Sequence, residues 1–134
     1  MHVTRFYTTL EGGSAFDVFD MPLQFVRTDA WGNTLRFSEP FTSPAVRVYQ
    51  APIGMFQEWH NAPTRQLCLM LQGTWEVGTT DGEKRRWGPG EVFMPDTVDG
   101  RGHTSEVIGN EDVMMVFVPV PPEVNIEVWG ASEF

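Results

Sequence analysis

The fold is decided by the stretch GMFQEWHNAPTRQLCLMLQGTWEV, residues 54–77. In this stretch His60 is followed by Gln66 and then by an apolar run that stops before Gly73. Apolar side chains occupy both alternating faces of residues 65–72, which predicts a strand that is buried on both sides. The polar residues leave two interpretations open: a core strand that carries them, or one half of a pocket that binds a metal or a ligand.

The rest of the chain predicts more short strands. Thirteen glycines and ten prolines are spread along it and divide it into short segments. Strands are predicted at residues 45–52, 65–72, 74–77, 91–95, 103–108 and 113–120. Asp81-Gly82 predicts a hairpin turn, residues 123–129 fit either a last strand or a short helix, and residues 11–40 are too weakly patterned to assign. Short strands at such intervals are typical of an all-β sandwich or barrel.

The composition narrows the classes of protein. A chain of 134 residues suits one hydrophobic core, so a single domain over residues 1–134 is predicted. The formal net charge of −9 repels phosphate backbones and anionic lipids, which argues against nucleic acid and membranes as partners. The lone Cys68 excludes an intrachain disulfide, and neither an apolar leader nor a spanning segment is evident. We therefore expect a cytoplasmic protein.

A second motif lies downstream of the first. In WGPGEVFMPDTVDGRGH, residues 87–103, Gly90 is followed by Pro95 and then by His103. Together the two stretches resemble the paired motifs of the cupin superfamily, in which Gly precedes His-x-His, Glu and Gly, and a later Gly precedes Pro-x-Gly and His. The resemblance covers residues 45–118. It implies an all-β fold, the double-stranded β-helix or jelly-roll barrel of a single-domain cupin, with its site in the barrel mouth.

The motifs depart from the family pattern at two of its ligand positions. Ala62 stands where the family has its second histidine, and Gln66 stands where it has glutamate. The second motif also carries extra residues between Gly90 and His103. This insertion predicts a bulge or a longer turn within residues 96–102.

The spacing groups the polar side chains on shared faces. Side chains alternate along a strand, so His60 and Ala62 share one face, and Gln66 lies on a face of the next strand. We expect a hairpin turn through Pro63 to bring these two faces together and His103 to join them from an adjoining strand. The residues expected to line the resulting pocket are Ala62, Cys68, Met70 and Phe93.

A metal is one possible occupant of this pocket. A full cupin site offers three histidines and a carboxylate to a divalent transition metal, and the resemblance implies a reduced version here. The candidate ligands are His60, Gln66 and His103, for manganese, iron, nickel or zinc. An amide is a weak, uncharged ligand, so we expect lower affinity than in a full site. The alternative is that no metal binds and the histidines line the pocket or are satisfied within the core.

Catalysis without a metal is also open. His60 and His103 are candidates for acid–base work. If His60 points inward, regular alternation turns Glu58 inward as well, where it could orient the imidazole or act as a base. Cys68 is expected to be a buried, inert thiol.

Three functions follow from these alternatives. The one we favour is an enzyme acting on a small organic metabolite, aromatic or polyketide-like, by weak-metal Lewis-acid chemistry or by histidine acid–base chemistry such as isomerisation, cyclisation or elimination. The second is a non-catalytic module that binds or senses a small molecule after loss of the metal site, and the third is a scaffold for protein interactions. The resemblance also implies a homodimer, with residues 3–10 as an exposed edge strand that pairs between copies.

Overall fold

The computed structural model describes residues 1–129, and most of them lie in β-strands. The strands are β1 (His2–Thr8), β2 (Ser14–Asp20), β3 (Phe25–Thr28), β4 (Thr34–Phe37), β5 (Arg47–Ala51), β6 (Phe56–His60), β7 (Gln66–Gln72), β8 (Thr74–Gly78), β9 (Lys84–Trp87), β10 (Val92–Asp96), β11 (His103–Ile108) and β12 (Val113–Pro119). Each predicted strand is present, with ends within about two residues of the predicted ones. The undecided segment 123–129 contains a short 3-10 helix, Ile126–Trp129. Residues 130–134 of the predicted domain lie outside the described residues.

Two facing sheets form the body of the molecule. A six-stranded sheet has the order β2-β1-β10-β7-β12-β5, and a four-stranded sheet has the order β6-β11-β8-β9. Within these sheets β1 and β10 pair in parallel, and the other described pairings are antiparallel. The all-β prediction is therefore confirmed, and the arrangement is that of a jelly roll.

The middle of the six-stranded sheet is buried on both faces, as the sequence of β7 predicts. Cys68 packs in the core between the sheets with Trp75, which comes from the four-stranded sheet. Its neighbour Leu67 points the other way and packs with Val120 and Ile126. The segment that follows β12 thus covers the outer face of the sheet, which explains why β7 is apolar on both sides.

The connection between β6 and β7 corrects one prediction. A hairpin turn through Pro63 would require the two strands to pair, but β6 pairs with β11 while β7 pairs with β10 and β12. Residues 61–65 instead cross from the four-stranded sheet to the six-stranded sheet. The inward faces of β6 and β7 therefore oppose each other across the interior rather than side by side.

The N-terminal third also differs from expectation. Strand β1 lies between β2 and β10, so the predicted exposed edge at residues 3–10 is wrong, and the edges of this sheet are β2 and β5. Within residues 11–40, β3 and β4 form a separate hairpin that is exposed along both strands. Phe25 and Trp31 of this hairpin are among its exposed apolar side chains.

The predicted turn at Asp81-Gly82 is confirmed. It connects the antiparallel strands β8 and β9, and Gly82 has a φ of 86°, a value that favours glycine. The carboxylate of Asp81 accepts hydrogen bonds from the Thr79 hydroxyl and the Glu83 backbone N–H. In the part of the chain up to residue 129, the structure holds no helix with the length and apolar character that crossing a membrane requires.

Candidate functional site

A cavity of about 470 Å³ opens between the two sheets. Its apolar wall includes Phe6, Tyr49, Trp75, Phe93, Met115 and Phe117. Its polar groups include Arg47, Gln57, His60, Asn61, Gln66, His103 and Ser105. A mostly apolar cavity of this size with a few convergent polar groups is typical of a site for a small organic molecule.

The structure brings most of the predicted pocket residues to this cavity. The wall includes His60, Ala62, Gln66, Cys68, Phe93 and His103. Met70 is the exception: it packs in the core and does not line the cavity. Met115, the residue paired with Met70 on β12, lines the cavity at that level instead.

The two histidine rings lie in contact in the cavity wall, tilted relative to each other. His60 at the end of β6 pairs with His103 at the start of β11, and their ring centroids are 4.4 Å apart with an interplanar angle of 54°. Gly102 makes this approach possible. Its φ is 76°, and a Cβ atom at this position would collide with the carbonyl oxygen of His60. The connection between β10 and β11, which contains the predicted insertion, thus passes directly against the strand end that carries His60.

A register shift in the β6–β11 pairing decides which neighbour of His60 faces the cavity. His103 is opposite His60, but Ser105 is opposite Gln57, so β6 uses one more residue than β11 over this interval. Gln57 therefore lines the cavity, and the Glu58 side chain is exposed. The expected inward carboxylate of Glu58 is wrong, because regular alternation does not hold across the bulge.

Glu58 nevertheless acts on His60 through its backbone. The Nδ1 atom of His60 lies 2.6 Å from the Glu58 carbonyl oxygen. A carbonyl only accepts hydrogen bonds, so this partner assigns the proton of the neutral ring to Nδ1. The Nε2 atom of His60 is then left with its lone pair and is able to accept a proton.

His103 has the opposite arrangement. Its Nδ1 atom lies 2.6 Å from the Oγ1 atom of Thr97, whose side chain is fully buried. Among the described residues Thr97 Oγ1 has no other hydrogen-bond partner, so the hydroxyl satisfies its own proton only by donating it to Nδ1. That assignment puts the proton of His103 on Nε2.

Burial keeps His103 neutral. The side chain is 4% exposed, and the ring of Phe6 lies against it with a centroid distance of 4.6 Å. Loss of solvation, with a smaller contribution from the charge of His60 when protonated, lowers the pKa of His103 to about 3. His103 is therefore a hydrogen-bond donor and not a base near neutral pH, and the cavity pairs one imidazole that accepts a proton with one that donates a hydrogen bond.

The residues present do not fit the metal centre that a full cupin site provides. No group of three or more His, Cys, Asp or Glu side chains within residues 1–129 is placed to hold a metal ion. The candidate ligands are thus two imidazoles and the amide of Gln66, with no negative charge among them. Ligation through Nε2 would also require His103 to carry its proton on Nδ1, which leaves the buried Thr97 hydroxyl without an acceptor. We derive no step through a metal.

The polar site residues that were not predicted from the sequence include Arg47, Gln57, Thr97 and Ser105. Ser105 follows His103 by two residues on the same strand, so alternation alone would have placed it on the same face. Thr97 lies outside any strand, in the loop before His103, and no periodic signal marks it. Gln57 depends on the bulge in β6. The thiol of Cys68 behaves as expected, because burial raises its pKa and leaves it an unreactive part of the wall.

Comparison with known proteins relates the fold to solved structures. No protein-family model matches the chain, and no curated protein matches it. The cupin domain of Schizosaccharomyces pombe Cnp3 matches with a TM-score of 0.50 and 18% identity, over 99% of this chain and 96% of that one. A cupin superfamily protein from Desulfitobacterium hafniense DCB-2 matches with a TM-score of 0.42 and 20% identity, over 60% and 72% of the two chains.

A further match is the DMSP lyase DddQ of Ruegeria pomeroyi DSS-3, with a TM-score of 0.47 and 20% identity. It covers 75% of this chain and 48% of the lyase. At these identities the likeness concerns the fold. Together with the two facing sheets, the match to the Cnp3 cupin domain over nearly the whole of both chains shows that this chain has the all-β jelly-roll fold of that cupin domain.

Proposed function

We propose that this protein is an enzyme that moves a proton on a small organic molecule held in the cavity. His60 is the general base, and His103 is a neutral hydrogen-bond donor. The observation that carries the proposal is the opposite tautomer of the two facing rings, which follows from the Glu58 carbonyl on one side and the Thr97 hydroxyl on the other. A base and an oxygen-stabilising donor side by side are the minimum that proton abstraction next to a carbonyl group requires.

The reaction proceeds on a substrate with a C–H bond next to a carbonyl group. The lone pair of His60 Nε2 takes the proton, and the electron pair of the C–H bond moves onto the carbonyl oxygen. The Nε2–H of His103 donates a hydrogen bond to that oxygen as its negative charge develops. Return of the proton to another carbon completes an isomerisation, and departure of a leaving group completes an elimination.

The surroundings suit such a step. The positive charge that His60 gains is stabilised by the Glu58 carbonyl, and it opposes protonation of His103. Proton transfer to His60 thus keeps His103 neutral and able to donate its hydrogen bond. The apolar aromatic wall lowers the local dielectric, which strengthens the hydrogen bond from His103.

Proton exchange with solvent tests this proposal without knowledge of the natural substrate. The protein is incubated in D2O with a panel of small ketones, oxo acids and aromatic ketones, and loss of the α-proton signal is followed by NMR. The wild type is expected to accelerate exchange for at least one member, and His60→Gln to abolish the acceleration. His2→Gln is the matched control, because His2 is exposed and lies outside the cavity wall.

The same experiment separates the alternatives. A compound that raises the melting temperature but undergoes no exchange indicates a module that only binds its ligand. Exchange that survives His60→Gln overturns the assignment of the base. Neither exchange nor stabilisation by any compound argues for a scaffold role.

Two further predictions remain proposals. We infer a cytoplasmic protein and a homodimer. The exposed apolar side chains of the β3–β4 hairpin, among them Phe25 and Trp31, support association, because a two-stranded hairpin is stable only when packed against something else. Light scattering that reports a monomer at micromolar concentration would contradict the homodimer.

A further inference from the structure

Two buried polar side chains in the cavity wall have no hydrogen-bond partner within residues 1–129. Gln66 is 8% exposed and Ser105 is 2% exposed, and neither side chain makes a hydrogen bond to the described protein. Buried polar groups in native proteins are nearly always hydrogen-bonded. The partners of these two side chains must therefore come from the contents of the cavity.

The two side chains reach the cavity from opposite sheets. Gln66 begins β7 of the six-stranded sheet, and Ser105 lies on β11 of the four-stranded sheet, two residues from His103. The amide of Gln66 both donates and accepts, and so does the hydroxyl of Ser105. Neutral groups with this dual capacity suit a hydroxyl or carbonyl oxygen of a ligand better than a bare ionic group.

The charge that lines the cavity is positive. Arg47 on β5 is the one charged side chain among the described lining residues, and no carboxylate lines the wall. Within the described chain Arg47 makes no ion pair, whereas Arg5, Arg85 and Arg86 each pair with a carboxylate. A wall without acidic groups is notable in a chain with a net charge of −9. It leaves the Arg47 guanidinium free to bind a ligand carboxylate.

The wall between these polar groups is aromatic. The rings of Tyr49 and Phe117 are stacked with centroids 4.9 Å apart, and Trp75 meets Tyr49 edge-on. Strand β12 separates β5 from β7, so the strands that carry Arg47 and Gln66 are about 10 Å apart across two strand spacings. The register places Arg47 level with Cys68, two residues along β7 from Gln66. A single aromatic ring with polar groups at its two ends spans that interval once the side chains reach inward.

We propose that the cavity binds a small aromatic carboxylate that carries a hydroxyl or carbonyl group. The ring packs on the Tyr49–Phe117 wall, the carboxylate pairs with Arg47, and the second oxygen bonds to Gln66 and Ser105. The members of this class that carry a carbonyl group with an adjacent C–H bond are the substrates of the proposed proton transfer, and the biological meaning of this inference rests on that function. Binding itself requires no turnover.

Calorimetric titration with three matched probes tests the inference: 4-hydroxybenzoate, benzoate and 4-hydroxybenzamide. The first is expected to bind tightest, with about tenfold weaker binding of the uncharged amide and several-fold weaker binding of benzoate. Arg47→Gln should equalise the hydroxybenzoate and the hydroxybenzamide. Ser105→Ala should reduce the preference for 4-hydroxybenzoate over benzoate, because Gln66 alone then bonds to the hydroxyl group.

Two controls accompany the titrations. Arg27→Gln removes an equally exposed, unpaired arginine from the β3–β4 hairpin and should leave all three affinities unchanged. Ser105→Ala should not lower the melting temperature, because it removes a buried hydroxyl that has no partner in the described protein.

The inference is overturned if the wild type binds the amide as tightly as the carboxylate, if either variant keeps the full preference of the wild type, or if no probe binds below millimolar concentration. Failure of the probes alongside proton exchange on another compound would leave the proposed function intact. Binding of the three probes in the expected order, without proton exchange on any compound, would support this inference and contradict the proposed function.

Discussion

The two sheets that enclose the cavity contribute different parts of the site. The four-stranded sheet carries both imidazoles, and it also carries Ser105 and Gln57. The six-stranded sheet contributes most of the apolar wall, with Gln66 as the one buried polar side chain facing the cavity among its described residues and Arg47 on its edge strand β5. In the proposed function, one sheet performs proton transfer and the other shapes and orients the ligand.

The difference follows from how each sheet is covered. The middle of the six-stranded sheet is buried on both faces, so a polar side chain there has little chance of a partner. Strand β6 of the four-stranded sheet has one side open to solvent and contains a bulge. The bulge frees the Glu58 carbonyl to bond to the ring of His60. The polar side chains proposed to act in proton transfer thus lie where a strand is half exposed and its register is irregular.

The largest expected effect is the difference in proton-exchange rate between a variant of the four-stranded sheet and a variant of the six-stranded sheet. His60→Gln removes the base and should lower the rate of proton exchange at least about 100-fold, the usual contribution of a general base. Cys68→Ala alters the opposite wall and should change the rate by only a few-fold, although it lowers stability by opening a small cavity. Both rates are measured by NMR in D2O. Equal losses in the two variants would contradict the division of labour between the sheets.

Acid sensitivity of folding should be the next largest effect. The pKa of His103 is about 3 in the folded protein, against about 6.5 for an unfolded histidine. Between these values the unfolded state binds more protons, so stability is lost as the pH falls from about 6.5 towards 3. Between pH 7 and pH 5 the loss due to His103 is about 2 kcal/mol.

Urea unfolding at the two pH values measures this loss. His103→Asn keeps a group that accepts from Thr97 but cannot gain a proton, so its stability should fall about 2 kcal/mol less than that of the wild type over the same range. An unchanged pH dependence in the His103 variant would show that this ring is not held neutral by burial.

A smaller effect is expected from the residue that sets the tautomer. Thr97→Val keeps the shape of the side chain but removes the hydroxyl proton donated to His103 Nδ1. The ring then loses its preference for a proton on Nε2, and proton exchange should slow about tenfold. Thr97→Ser should restore the rate, which a purely structural role of the methyl group would not explain.

Metal dependence should be the smallest effect. Because the donor set is two imidazoles and an amide, a chelator such as EDTA should change the exchange rate less than twofold, as should added manganese, iron, nickel or zinc salts. Metal analysis of protein purified without a histidine tag accompanies the rate measurement. Stimulation by one of these metals, lost in Gln66→Ala, would favour the Lewis-acid interpretation instead.

The sequence predicted the fold better than the site. Period-two patterning and turn residues predict six of the eight described strands from residue 45 onwards; β6 and β9 are not among the predicted strands. Strand β1 was mistaken for an edge, since pairing order between distant segments leaves no local signal. The β3–β4 hairpin was left unassigned because it is exposed on both faces and has no apolar alternation.

Within the site, motif spacing identifies His60, Gln66 and His103 as cavity residues, and the structure brings all three to one cavity, the histidines from one sheet and Gln66 from the other. The role of His103 depends on Thr97, which lies in a loop, and the role of His60 depends on the backbone carbonyl of Glu58. Such contacts depend on a bulge and on close backbone approach, and neither feature can be read from residue spacing.

The opposite tautomers of the two rings are tested most directly by a long-range ¹H–¹⁵N correlation spectrum of the histidine side chains. We predict that at pH 7 the proton of His60 is on Nδ1 and that of His103 is on Nε2, and that His103 is still neutral at pH 5. Spectra of His60→Gln and His103→Asn assign the signals. Protons on the same nitrogen in both rings, or a doubly protonated His103 at pH 5, would contradict the proposed division between base and donor.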